Sequence, residues 1–453
     1  MPSAEVVERD DCPNCKQLRE LLDAALKQLV EVGKRLAEVE RAAHRQAAPF
    51  RRPEEKRKAD KGTPGRKEGH PPAYRKPPPV VDECATVPLD CCPHCQGPVH
   101  DVRAVEQVIQ DIPEVRVRHL RLTTYRGRCP QCGPVHSTHP EQVSTAVGAA
   151  GTHLGRNALG LAADLSKRFG LPMRKVCGIL QDHFGLDLTA GGLSQALARI
   201  ARNLQVPFEQ LKQSVRDSEA IHADETGWWV GGHSAWLWVF TNPALTLYTI
   251  GNRSQEVIRR VLGDDYAGVL ISDCLSSYDP HPGTKSKCCA HHLKAISEAR
   301  KLAPDSAFLA DIYFFFKAAI ILHKYRADAG DIAYWRAVMH LNRHLDEVLA
   351  PTYSNPHEER IANRLRKQRP HLLTFLVLPD IVDPTNNLAE RQLRPAVISR
   401  KLSCGNKTEA GKATFEVLAS LSATCRQQGR SFAELVAGWM SLGLPPPPPL
   451  AAK

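Results

Sequence analysis

Residues 220–226 read Ala220-Ile221-His222-Ala223-Asp224-Glu225-Thr226, and residues 269–273 read Val269-Leu270-Ile271-Ser272-Asp273. Each is a short apolar run that ends in an acid. Between them, residues 235–241 and 245–250 read as two more strands, residues 254–262 as a helix, and residues 267–272 as the strand that delivers Asp273. A bridging helix near residues 208–218 precedes this block. Three helical patterns come before it, at 157–169 (closed by Gly170), 173–184 (closed by Gly185) and 193–204, after Thr189-Ala190-Gly191-Gly192. Short glycine-containing turns between such helices suggest a helix-turn-helix arrangement, although a plain bundle has the same pattern. Downstream, residues 294–378 are strongly helical, and a helix carrying Glu390 follows.

Three strands, a helix and a fourth strand make up the opening order of a ribonuclease-H-like sheet. In that fold the first and fourth strands are neighbours, so Asp224 and Asp273 would end side by side. Glu390 stands in Asn386-Asn387-Leu388-Ala389-Glu390-Arg391, which reads as a helix start capped by Asn386 or Asn387. Three hard carboxylate ligands suit Mg²⁺ (or Mn²⁺), which retains waters and accepts phosphate oxygens. Two such ions about 4 Å apart serve in-line phosphoryl transfer. A single carboxylate at a strand end or helix start usually has no such task; the joint arrangement carries the reading. Glu225 rivals Asp224, and Asp279 rivals Asp273.

The formal charge of +11 over 453 residues fits a polyanionic partner such as nucleic acid, although many soluble proteins are modestly basic. Neither a signal peptide nor an apolar run of about 20 residues is evident, so a soluble cytoplasmic, nucleoid-associated protein without membrane contact is expected. The 14 cysteines fall into CxxC pairs and singles. Cys92-Pro93-His94-Cys95 and Cys129-Pro130-Gln131-Cys132 supply four thiolates, the set for tetrahedral Zn²⁺, and the alternation in residues 106–125 between them suggests a zinc ribbon. Cys91 is a rival for Cys92. Cys12 and Cys15 form a lone pair that would fill a site only if two chains met.

Leu18, Leu22, Ala25, Leu29, Val32, Leu36, Val39 and Ala43 form a heptad seam, which predicts a coiled coil and homo-oligomers through residues 18–43. Residues 44–79 shift to Pro, Gly, Arg and Lys and read as an extended basic arm.

The His222–Thr226 run, Ser272-Asp273 with Tyr278, and Asn386–Arg391 with Leu393-Arg394-Pro395 resemble the transposases of insertion sequence 66, a DDE family. The likeness extends to the Gly65–His70 arm and covers nearly the whole chain. It implies metal-dependent cleavage and strand transfer of double-stranded DNA by Asp224, Asp273 and Glu390, acting on terminal repeats and target, with accessory transposition proteins as possible partners. Cys288-Cys289-Ala290-His291 matches a Cys-Trp-Ala-His stretch of the family, so Cys288 and His291 would order the elements beside the site. Leu293 and Lys294 stand where the family has two basic residues. Arg400-Lys401 fits its Arg-Lys pair, whereas Cys404-Gly405-Asn406 replaces apolar and aromatic residues.

The expected layout is multidomain α+β. It comprises a coiled coil with CxxC (1–45), a basic linker (46–80), a zinc ribbon (81–142) and a helical, helix-turn-helix-like DNA-binding domain (143–216). A ribonuclease-H-like core follows in two parts (217–293 and 381–440), interrupted by a helical insertion (294–380), and a Pro-rich tail (441–453) ends the chain. Two alternatives remain: a zinc-ribbon and helix-turn-helix DNA-binding protein without catalysis, and a nuclease that cuts without joining.

Overall fold

The computed structural model describes residues 70–71, 76–144 and 152–442. Cys12, Cys15, the heptad seam, most of the basic arm and nearly all of the Pro-rich tail lie outside the described residues. Two compact units divide at Gln110–Asp111. In the first, the regular feature is a tight turn at Cys92–Cys95.

The second unit is mixed α+β. It opens with the hairpin β1 (Arg126–Cys129) and β2 (Gly133–His136). The strands expected within residues 106–125 do not form. Alternation specifies a face, but a strand also needs a pairing edge and a layer to cover it. Here Ile109 and Ile112 are 84% and 82% exposed, and nothing among the described residues supplies that layer.

Helices α1 (Arg156–Lys167), α2 (Met173–Phe184), α3 (Ala190–Asn203) and α4 (Gln205–Arg216) follow where the apolar periodicity puts them. Gly185 closes α2 in the left-handed region (φ 64), and the Thr189 hydroxyl caps α3 by accepting from Gly192 N–H at 3.0 Å. Leu159, Val176, Leu180, Leu193, Leu197 and Ile200 are completely buried between them.

A five-stranded sheet comes next: β3 (Ala220–Val230), β4 (His233–Thr241), β5 (Thr246–Gly251), β6 (Val269–Ser272) and β7 (Lys285–Lys287), in the order β5-β4-β3-β6-β7. The first three pair antiparallel; β6 joins β3, and β7 joins β6, in parallel. Helix α5 (Gln255–Leu262) provides the crossover from β5 to β6. Then come α6 (Cys289–Leu302), α7 (Ala307–Lys324), the short α8 (Arg326–Ala329), α9 (Asp331–Leu349), α10 (Pro356–Gln368) and the short α11 (Thr374–Val377). The chain closes with α12 (Asn387–Ser403), α13 (Glu409–Gln427) and α14 (Phe432–Trp439). Gly160 admits the close approach of α1 to α14, since a Cβ there would stand 2.4 Å from Ala433 O.

Period-2 alternation gives the sheet two buried faces. Ile221, Ala223, Trp238, Phe240 and Leu270 pack towards the α1–α5 core. Trp228, Leu237, Val239 and Tyr248 face Ala389, Leu393 and Ala396 of α12, while Val269 and Ile271 meet the inserted helices α6–α11.

Candidate active site

The parallel pairing of β3 with β6 ends at His222 opposite Ile271. Asp224 stands two residues further along β3, and Asp273 directly follows the end of β6. Side-chain parity puts Asp224 on the face of His222 and Trp228, the face covered by α12, whose first turn holds Glu390. Burial pushes the Asp224 carboxyl up to about 7. A hydrogen bond from Glu225 N–H (2.9 Å) opposes that shift, while the charges of Glu225, Asp273 and Glu390 add to it. Asp273 accepts from Leu275 N–H at 2.9 Å. The Glu390 side chain remains 46% exposed.

These acids are near enough to repel one another. Even so, among the described residues no three His, Cys, Asp or Glu side chains form a ready-made chelating group. The donor chemistry, all hard oxygen with a partly open glutamate, fits a cation that completes its shell with water and phosphate.

Both rival acids are already occupied. Glu225 points to the opposite sheet face, where Arg253 (2.8 and 3.2 Å) and the Tyr278 hydroxyl (2.9 Å) donate to it. Asp279 is partly desolvated, but Lys367 (2.8 Å), Gln368 (3.0 Å) and nearby Lys287 hold its carboxyl below the usual range. Lys287, buried on β7, donates to Asp273 O (3.0 Å) and braces that loop from beneath. Nothing in Lys285-Ser286-Lys287 announces this role, because the stretch reads as polar surface.

Asn386 occupies the cap position of α12 without making the expected side-chain cap bond. Its amide instead reaches the sheet, donating to Ala223 O (2.7 Å) and accepting from His222 Nδ1 (3.1 Å).

The family profile described as "Transposase IS66 family" matches residues 155–414, more than half of the chain and all three acids. The chain belongs to the transposase IS66 family. A relative, the uncharacterized protein y4qI of Sinorhizobium fredii (strain NBRC 101917 / NGR234), is 24% identical over 299 residues, covering 57% of this chain. The chain spans about half the length of that relative (54%).

Other residues of this transposase-family chain that the sequence singles out fall into two groups. Cys288 is buried and its Sγ accepts from Asn386 N–H at 3.1 Å. His291, bonded to Cys288, stands 3.9 Å from Glu390 Oε1; that bond and the surrounding negative charges raise its pKa against the effect of burial. The pair therefore lies beside the start of α12 and Glu390. Arg400 turns back to the sheet, donating to Thr226 Oγ1 (3.2 Å) and to Gly227 O, so it ties the far end of α12 to β3. Lys401 follows it on the last turn of α12. Cys404 is exposed, while Gly405 and Asn406 tie this segment to β3 without aromatic residues. Asn406 Oδ1 accepts from the Trp228 indole (2.7 Å), and Gly405, at φ 92, lies where a Cβ would come within 2.5 Å of Trp229 O.

Each CxxC turn has the local form of a metal knuckle. Peptide N–H groups of His94 and Cys95 lower the Cys92 thiol, and those of Cys132 and Gln131 lower Cys129. Such N–H···S bonds favour the thiolate that zinc requires. The rival Cys91 instead donates to Gln96 Oε1 at 3.2 Å.

Proposed function

We propose that the chain is a DDE transposase with a ribonuclease-H-like core, which cuts and joins DNA through Asp224, Asp273 and Glu390. One observation carries this reading: Asp224 lies within β3, Asp273 directly follows the neighbouring parallel strand β6, α12 with Glu390 in its first turn packs on β3, and the charges of Asp273 and Glu390 both act on Asp224. A fold that gathers uncompensated carboxylates needs a cation to offset them. Bound Mg²⁺ or Mn²⁺ would neutralise phosphate oxygens and activate the attacking water or 3′-hydroxyl. The protein's own contribution is to hold the ligands. Leu275 N–H fixes Asp273, and Asp224 is the carboxyl that retains a proton near neutral pH in the ion-free chain. Arg400 and Asn386 pin both ends of the helix carrying Glu390.

The charge of +11 supports binding of terminal repeats and target duplex through phosphates. We assign Zn²⁺ to Cys92, Cys95, Cys129 and Cys132, self-association to residues 18–43, and any accessory transposition proteins to separate partners, all on sequence grounds. No described helix is long and apolar enough to cross a membrane, and the work site would be the nucleoid. The alternative is a DNA-binding protein without catalysis. Incubating the full chain with duplexes ending in the element's terminal repeats separates the two. Cleavage and joining with Mg²⁺ or Mn²⁺, but not with chelator, is expected. Bound but unbroken DNA under every ion would favour the alternative.

A further inference from the structure

We infer that Asn386 is a positioning residue, the link that sets where Glu390 stands relative to Asp224. The inference rests on the carboxylate site proposed above. An asparagine at a helix cap normally accepts from an N–H of the first turn. Asn386 makes no such bond, and its side chain is wholly buried.

Its four groups bond β3 beside Asp224, the first turn of α12, and Cys288 at the start of α6. Nδ2 donates to Ala223 O (2.7 Å), one residue before Asp224. The Asn386 carbonyl accepts from Glu390 N–H (3.3 Å), one helical turn on. The Asn386 N–H donates to Cys288 Sγ (3.1 Å), the thiol that also holds His291 near Glu390. Oδ1 accepts from His222 Nδ1 at 3.1 Å.

The orientation of the amide is determined. Ala223 O only accepts, so the NH₂ must face it, and Oδ1 then faces His222. The buried ring therefore carries its proton on Nδ1 and turns Nε2 towards Asp383 Oδ2, 3.7 Å away. A leucine or alanine at 386 would keep the helix but release this grip. Only an amide supplies a donor and an acceptor in this spacing.

The test uses the full chain with Mn²⁺ alone as probe, free ion being read by electron paramagnetic resonance. Asn386→Ala is expected to weaken Mn²⁺ binding about tenfold, the low end for losing an outer partner of a metal ligand. Paired with Glu390→Gln, it should weaken binding no further than Glu390→Gln alone, because no carboxylate is left to position. Losses that multiply would mean the amide acts only as structural glue and would overturn the proposal. Should Asn386→Ala fail to give a cooperative thermal transition, His222→Phe takes its place. It removes the N–H that orients the amide and should show a smaller loss with the same lack of additivity; an additive loss overturns the proposal equally. If Asp224→Asn and Glu390→Gln weaken binding while Asn386→Ala does not, the positioning role alone falls. If neither acid matters, the site itself falls and takes the proposal with it.

Discussion

Replacing His292 with phenylalanine should make the protein more resistant to acid. His292 lies in α6 behind the Asp273 loop, 1% exposed, stacked flat on Phe316 with centroids 5.4 Å apart. Its Nε2 is 3.4 Å from Cys274 Sγ, while Nδ1 has no partner. Burial, reinforced by Arg364, His291 and Lys287, drives its pKa down to about 3. An unfolded histidine titrates near 6.5, so below that pH the unfolded chain takes up a proton that the folded chain refuses. The stability at stake is therefore complete above about pH 6.5 and is lost as pH falls towards 3. At about 1.36 kcal/mol per pH unit, lowering the pH from about 6.5 to 4.5 costs roughly 2.7 kcal/mol from this residue. The His292→Phe ring preserves the stack and cannot titrate. Urea unfolding followed by tryptophan fluorescence should find the variant about 1–3 kcal/mol less stable at pH 7.5, because the larger phenyl ring overpacks the site and loses the contact with Cys274. The balance should shift by roughly 2–3 kcal/mol in favour of the variant at pH 4.5. Equal pH slopes would refute the buried, neutral histidine.

Glu225→Gln should cost about 1.5 kcal/mol of stability by weakening the charged bonds to Arg253 and Tyr278, yet leave Mn²⁺ binding intact; lost binding would make Glu225, rather than Asp224, the ligand. Metal analysis of the purified chain should find about one zinc, as two CxxC pairs predict for a single four-thiolate site, and a folded zinc-free protein would contradict this. Affinity for terminal-repeat duplex should fall with salt at a log–log slope near −0.9 per phosphate contacted, whereas a flat salt dependence would remove the phosphate contacts from the account.

The five-stranded sheet was legible because its signals are local. Apolar runs at 220–224, 235–241, 245–250 and 267–272 became β3 to β6, with β3 extending on to Val230 before the Gly231-Gly232 turn into β4. Helices near 157, 173, 193 and 254 appeared within a few residues of their periodic patterns. What escaped the sequence depends on partners far along the chain. The three-residue strand β7 hides two buried lysines whose charges are met by Asp279 and by backbone oxygens. Residues 106–125 alternate like a strand but lack a neighbour. Asn386 reads as a helix cap, and only the sheet 163 residues away in sequence turns its amide elsewhere. Asp273 at a strand end and Glu390 at a helix start were legible. Asp224, expected to end its strand, lies within β3 because pairing with β4 carries that strand on to Val230, and the occupation of Glu225 by Arg253 and Tyr278 was not legible.

The central claim, that Asp224, Asp273 and Glu390 act together in catalysis, is tested most directly by comparing Asp224→Asn, Asp273→Asn and Glu390→Gln with the parent chain. Cleavage and joining of terminal-repeat DNA would be measured beside binding of the same duplex. The account predicts that each amide abolishes cleavage and joining in Mg²⁺ and in Mn²⁺ while DNA affinity is retained. A Glu390→Gln chain that still cuts and joins at the parent's rate would contradict it.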